Sequence, residues 1–433
     1  MSVKIAVLGG GLAGLELGRR LNEQGKDFVV LEKEPRTGGL CRTNTTGPYR
    51  WDFAVHAIYS RSQEAMDFFC SLPLDYQYSD RNVKIVHRKG NGRTVLLDYP
   101  FENGIRDLPI REKLECVLGY VFARRKKDVH TLAEWIESYS GFGTARHFMV
   151  PYNRKIWNCP LSEISSDLVS VKIEPAAPLE FMKNVFWKKE VGRAYQAKFI
   201  YPREGVQALT DHIGRDIQNR VVTNAKVSHL RQQNGRWGIF TTRGQKFEAD
   251  TVISTIPLPE LLRAIEMEGI RSHYDQLRWN HTFFIMVGLK DGARFRMIDD
   301  CHWVFFKGDE VFYRLTLMHN FSNRFPAAAV AEITDKGRAS GMSPEEMSGA
   351  VVNDLMRIGV LRSAEDVQVT DIRRVEYTYM IPTLGLAEVK KGIKDTLEAR
   401  NVFLLGRNGN WEYLNMDNIV LRVRDFVRKN FLG

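Results

Sequence analysis

Nowhere does the 433-residue chain approach the run of roughly 18 apolar residues that a helix needs to cross a bilayer. Cysteine is scarce. Cys41, Cys70, Cys116, Cys159 and Cys301 are odd in number, widely spaced and without a C-x-x-C pair. That pattern argues against a disulfide framework and a zinc site, and for reduced thiols in the cytoplasm. Internal repeats and low-complexity tracts are also missing, which leaves an ordinary globular architecture. Acidic residues are outnumbered, 52 against 62 Lys and Arg, for a net charge of +10. Such a surplus suits an anionic partner: nucleic acid, a membrane surface or a phosphorylated small molecule. The cations are scattered and no nucleic-acid module is recognisable, so nucleic acid is set aside. With 44% hydrophobic and 26% charged residues, the chain suits two or three domains with ample core.

What is present begins at the first forty-odd residues. Lys4–Leu8 reads as a buried parallel strand, followed by Gly9, Gly11 and Gly14 in a G-x-G-x-x-G register and a helix over Leu15–Asn22. A second apolar run, Phe28–Leu31, ends in Glu32. The first glycine permits the tight turn, the second lets a pyrophosphate approach the backbone, and the third lets helix and strand pack closely. The helix N-terminus faces the phosphates, and Glu32 takes the ribose hydroxyls. The continuing helix with Arg19 and Arg20 argues against a secretory leader. Downstream, Arg36-Thr37-Gly38-Gly39 with Arg42 and Thr43 resembles the second glycine motif of FAD-dependent amine-oxidase-like flavoproteins, which makes FAD the expected cofactor.

Taken in order, the chain then offers YRWDFAVHAIYS (Tyr49–Ser60), with His56 among apolar neighbours, and a hairpin over Asn82–Leu97. A helical region runs from Ile110 to about Asn158, with one helix predicted over Ile110–Lys127 ending in four cations. HFMVPYNRKIWNCPLSEIS (His147–Ser165) mixes aromatic rings with Arg154 and Lys155, which suits a base, a sugar and a phosphate. A helix over Val206–Ile217 and short strands up to Ser254 return to the nucleotide domain, and strands dominate from His281 to Leu317 and over Val367–Tyr379. The chain closes with a strand, the turn GRNGNWEYLNMDN and a helix over Ile419–Phe431. Arg407, Tyr413 and Asp417 are its ligand-facing side chains. The expected fold class is α/β. It consists of a discontinuous Rossmann-like dinucleotide-binding domain (1–75, 196–265, 396–433), a mainly helical insertion (76–195) and an antiparallel sheet substrate domain (266–395).

Four of these motifs together resemble the UDP-galactopyranose mutase branch of the amine-oxidase and protoporphyrinogen-oxidase-like superfamily: FAVHAIYS, YNRKIWNCPLSEIS, FYRLTL and GRNGNWEYLNMD. The resemblance implies pyranose–furanose ring contraction of a UDP- or GDP-linked sugar on reduced FAD, without net redox change. It places His56 beside the flavin, and Arg314 and Arg407 on the substrate diphosphate. Tyr152, Lys155, Trp157, Tyr413 and Asn415 would line the nucleotide-sugar site. Gly9, Gly11, Gly14, Glu32, Gly38, Gly39 and Asp417 would hold the cofactor. No metal is called for, and a homodimer is a possible assembly. Two departures stand out: Asn158 follows Trp157 where the family has glycine, and Asn415 replaces an acidic residue. No counterpart of the family's mobile-loop arginine is found near 172–175. These changes keep a flavin-independent mutase open. The remaining alternative is an oxidase or desaturase, which needs an apolar tunnel and no diphosphate clamp.

Overall fold

The computed structural model describes residues 1–90, 92–123, 126, 128–167, 185 and 197–431. The basic run 124–127 apart from Lys126, the aromatic-basic segment 181–189 apart from Val185, and residues 172–175 lie outside the described residues.

The chain begins with β1 (Ser2–Leu8), α1 (Leu12–Glu23) and β2 (Phe28–Leu31). Alternation builds two apolar layers from these strands. Ile5, Val7, Phe28 and Val30 enter one core, while Ala6, Leu8, Val29 and Leu31 enter another. β1 pairs in parallel with β2 on one side and with Lys246–Ser254 on the other. The far half of Lys246–Ser254 also pairs in parallel with Val402–Leu404, so the first seven-stranded sheet draws on both ends of the chain and its middle. Parallel strands covered on both faces read as continuous apolar runs, as these do.

The second seven-stranded sheet runs in the order Val367–Ile381, Arg278–Leu289, Ala328–Thr334, Arg314–Leu317, Trp303–Phe306, Val83–Arg88, Thr94–Asp98. It departs from the expected antiparallel sheet at one place, because Trp303–Phe306 pairs in parallel with Val83–Arg88. The hairpin over 83–98 therefore belongs to this sheet and not to a helical layer. Phe284 and Met286 face the core shared with the first sheet, and Ile285 and Val287 face a third core under the helix Pro344–Arg357.

The helix expected over Ile110–Lys127 closes at Val121. Beyond Leu132 the single helical pattern is broken. Wide, π-type turns span Ile136–Ser140 and Ala145–Met149, with a short α segment Gly141–Thr144 between them. The break lets Gly141 and Gly143 meet the helix Ile110–Val121 backbone to backbone. A Cβ on Gly143 would sit 2.3 Å from the amide nitrogen of Cys116, and one on Gly119 2.7 Å from that of Gly143. A Gly143→Ala protein is therefore expected to lose about 1–3 kcal/mol of stability, read as a lower urea midpoint with unchanged slope.

Candidate active site

The strand-to-helix turn after β1 is shaped by backbone crowding. Gly9 has φ +100°, a conformation other residues avoid. A Cβ on Gly14 would lie 1.9 Å from the carbonyl oxygen of Gly9, which seats α1 directly over the turn. Gly11 differs: its added Cβ would meet only the Cα of Gly39, at 3.8 Å. Gly38 donates its N–H to Gly10 O at 2.8 Å, so the two glycine motifs lie side by side around that opening. Glu32 is buried at the end of β2 and accepts N–H bonds from Gly10 (2.7 Å) and Glu34 (2.9 Å). Burial raises its pKa, and the two N–H donors oppose the rise.

At the other end of the site stands Arg314, on the short strand Arg314–Leu317. Its cross-strand partner is Glu332, a lone carboxylate in the apolar strand Ala328–Thr334 and fully buried. Arg314 Nε donates to Glu332 Oε1 at 2.6 Å and Nη2 to Oε2 at 2.8 Å, a bidentate pair. Nη2 also reaches Tyr379 Oη at 3.0 Å, and Tyr313 Oη donates to Glu332 Oε2 at 2.9 Å. Burial works against the Arg314 charge, but Glu332 outweighs it, and the guanidinium is held firmly protonated.

Arg407 is built differently. Its Nη1 donates to Leu414 O at 3.1 Å and its Nη2 to Thr378 O at 3.3 Å, while its guanidinium carbon lies 4.2 Å from the centre of the Tyr413 ring. Nε is buried without a hydrogen-bond partner, and among the described residues no ion pair with a carboxylate is formed. Tyr413 runs parallel to Tyr379 at 6.4 Å, and Tyr379 meets Trp157 edge-on at 6.4 Å. His56 feels both guanidiniums. Burial, then Arg407 and Arg314, push its pKa down to about 4, so the imidazole is neutral at pH 7, with Nδ1 buried and unpartnered. Ala54, two residues earlier, and Trp411 sit at positive φ (42° and 52°), a strained backbone on either side of this cluster. Cys41 is buried and its thiol is pushed up to about 12 by that burial, so it offers no thiolate here.

The structure thus gathers His56, Arg314, Arg407, Tyr413 and Tyr152 around Tyr379. Tyr152 stacks on Phe148 at 5.1 Å, and the Arg314 charge bears on its phenol. Lys155 is turned elsewhere. Its Nζ donates to Phe312 O at 2.6 Å and lies 3.7 Å from Glu310, with burial lowering its pKa to about 8. Trp157 is 1% exposed, with Nε1 on Asn153 Oδ1 at 3.1 Å, so it supports Tyr379 from behind. Asn158 and Asn415 are exposed. Asp417 accepts from Ser60 Oγ at 2.6 Å, tying the closing helix Met416–Phe431 to the segment after His56. Tyr379 and Glu332 escaped the sequence reading. A single acid inside an apolar strand was the available signal for Glu332, because such a group demands a partner.

With this geometry established, comparison with known proteins is direct. The flavin-containing amine oxidoreductase family model matches residues 12–280, more than half of the chain. The chain belongs to that family. Its fold is shared with a crystal structure of reduced UDP-galactopyranose mutase, with a TM-score of 0.90 at 23% identity, covering 100% of this chain and 95% of the other. By sequence it is 23% identical over 296 residues to a Mycobacterium tuberculosis protein named for flavin-containing monoamine oxidase activity, AofH, covering 64% of this chain and 62% of that one. A UDP-galactopyranose mutase of Mycoplasma pneumoniae matches at 22% over 178 residues, 39% of this chain and 44% of that protein. The chain thus spans about three fifths or less of the length of these curated relatives.

Family membership indicates FAD, and the residues fit it. The backbone beside Gly11 is open as far as Gly39, the Glu32 carboxylate sits against the same turn, and His56 Nδ1 and Arg407 Nε are buried polar atoms without partners that a bound cofactor would engage. A Gly11→Val protein should fold with a near-normal melting temperature yet purify without flavin absorbance, whereas Gly14→Val should fail to fold stably. Arg314 and Arg407 separate in the same way. Arg314→Ala strands the buried Glu332 carboxylate and should cost about 3–5 kcal/mol of stability by denaturant titration, while Arg407→Ala, which strands no carboxylate, should cost less, on the order of 1–2 kcal/mol.

Proposed function

We propose that this chain is a nucleoside-diphosphate-sugar pyranose–furanose mutase. The observation that carries the reading is Arg407, a cation with a buried, unpartnered Nε and, among the described residues, no carboxylate to neutralise it, whose charge acts on both His56 and Tyr379. An uncompensated guanidinium in such a place calls for an anion, and the fork geometry matches a diphosphate. The likeness in fold to UDP-galactopyranose mutase over the whole chain supports the same reading.

Ring contraction breaks the anomeric bond to the diphosphate, exchanges the ring oxygen for another sugar hydroxyl, and remakes the bond. Reduced flavin, when bound, supplies a nucleophilic nitrogen and recovers its electron pair, so the sum is free of redox change. Arg407 carries the charge on the departing diphosphate, while Arg314, neutralised by Glu332, holds the Tyr379 hydroxyl in place through Nη2. Tyr379 and Tyr413, parallel to one another, offer phenol hydroxyls that burial keeps protonated in the case of Tyr379. His56 stays neutral because a third cation beside two guanidiniums is unfavourable, which leaves it free to accept or donate a hydrogen bond.

A second reading has its own observation. Because Glu332 already neutralises Arg314, the site holds, among the described residues, one guanidinium without a carboxylate partner and not two. An oxidase with a single anion-binding arginine and aromatic walls fits that count, and the match to a named monoamine oxidase supports it. The spectrum of the purified protein before and after dithionite, followed by addition of UDP- and GDP-sugars, separates the two. The mutase reading expects a flavin spectrum and a ring-isomerised sugar only in the reduced sample. Oxygen consumption on an amine without sugar isomerisation would replace it with the oxidase. Arg407→Ala should keep flavin and weaken nucleotide-sugar binding by roughly 10- to 100-fold in calorimetry. Loss of flavin instead would move Arg407 to the cofactor.

A further inference from the structure

The helix Ile110–Val121 buries only one side. Cys116, Gly119 and Tyr120 pack inward, while Ile110, Leu114, Leu118, Val121 and the next residue, Phe122, are 47–73% exposed. Their spacing of four, four, three and one places them on one continuous outward stripe. Phe142, 54% exposed, extends the stripe from the segment held against this helix by Gly143 and Gly119. Scattered exposed apolar residues are ordinary, but an aligned stripe of this size marks an interaction surface.

Charge around the stripe is sorted. The two acids of the helix turn away from it: Glu112 lies 3.0 Å from His87 Nε2 and Glu115 2.9 Å from His147 Nε2. The cations stay outside. Arg111 and Arg146 project outward and share the single carboxylate of Glu115, at 3.3 and 3.6 Å, leaving one positive charge in excess between them. Lys113 flanks the other edge, and Lys126 is exposed just beyond the helix end. The chain as a whole carries +10.

We infer that this face docks on the anionic headgroup surface of a lipid bilayer. The helix, twelve residues and so about 18 Å long, lies in the plane of the interface. Its leucines and Phe122 reach the acyl boundary, and the flanking cations meet phosphate groups. The inference is independent of the reaction proposed above.

The test is co-sedimentation of the full-length flavoprotein with vesicles of phosphatidylcholine alone and of phosphatidylcholine with phosphatidylglycerol in equal parts. Binding is expected to the anionic vesicles only, and to weaken as salt is raised. Leu114→Ser with Leu118→Ser, and separately Arg111→Gln with Lys113→Gln, should each weaken partitioning on the order of tenfold while leaving the melting temperature unchanged. Equal binding by the leucine variant and the parent would overturn the inference. So would a fall in melting temperature, which would mean that the stripe is covered within the chain. A parent dimer that the leucine variant makes monomeric, with vesicle binding untouched, would assign the face to self-association instead.

Discussion

Everything in the nucleotide half of the molecule depends on backbone crowding at one corner. Three parallel strands end there, and Gly9, Gly14 and Gly409 on the segments leaving them have no room for a Cβ. Gly14 sits on the Gly9 carbonyl, a Cβ on Gly409 would stand 2.4 Å from the Ser254 carbonyl oxygen, and Thr255 Oγ1 donates to Leu8 O at 2.8 Å. Brought this close, the strand ends leave their N–H groups and helix ends facing one space. The opening at Gly11 is a by-product of the same crowding, because the chain can approach Gly39 but cannot fill the gap.

The half built on the second sheet follows a different rule, the burial of one ion pair. Glu332 in the middle of the second sheet has to be matched, and Arg314 directly across the strand matches it. The pair fixes Tyr379 through Arg314 Nη2, and Tyr379 in turn sets Tyr413 and Trp157 around itself. Such a pair contributes more to geometry than to stability, since desolvation cancels most of the attraction. Arg407 sits outside this arrangement, held by carbonyl oxygens and a ring face, with no carboxylate paired to it among the described residues.

The glycine motifs, β1, α1, β2 and the return of the chain to the first sheet were legible because they are local and periodic. Three features were not. The parallel pairing of Val83–Arg88 with Trp303–Phe306 joins strands more than two hundred residues apart, and no local pattern encodes such a partner. The wide turns after Ile136 interrupt a helical period that reads as unbroken. The third concerns Tyr379. Alternation puts Tyr377 and Tyr379 on one face, yet an irregularity in the pairing of Val367–Ile381 with Arg278–Leu289 sends Tyr377 to one core and Tyr379 to another. A bulge re-aims side chains, and strand patterning assumes that none occurs. Within the candidate site, the arginines were visible as motif residues, but which of them is already neutralised depends on Glu332, a partner from a different strand.

The interleaving of the first sheet also has a consequence for how the protein comes into being. Lys246–Ser254 receives β1 on one edge and Val402–Leu404 on part of the other. During synthesis the amino-terminal glycine turn leaves the ribosome long before the strand that completes its surroundings. At about 5–20 residues per second that interval lasts tens of seconds. Val252 and Ile253, once made, wait for roughly 8–30 seconds without that neighbour, and the turn of Gly406–Gly409 that closes the corner comes later still.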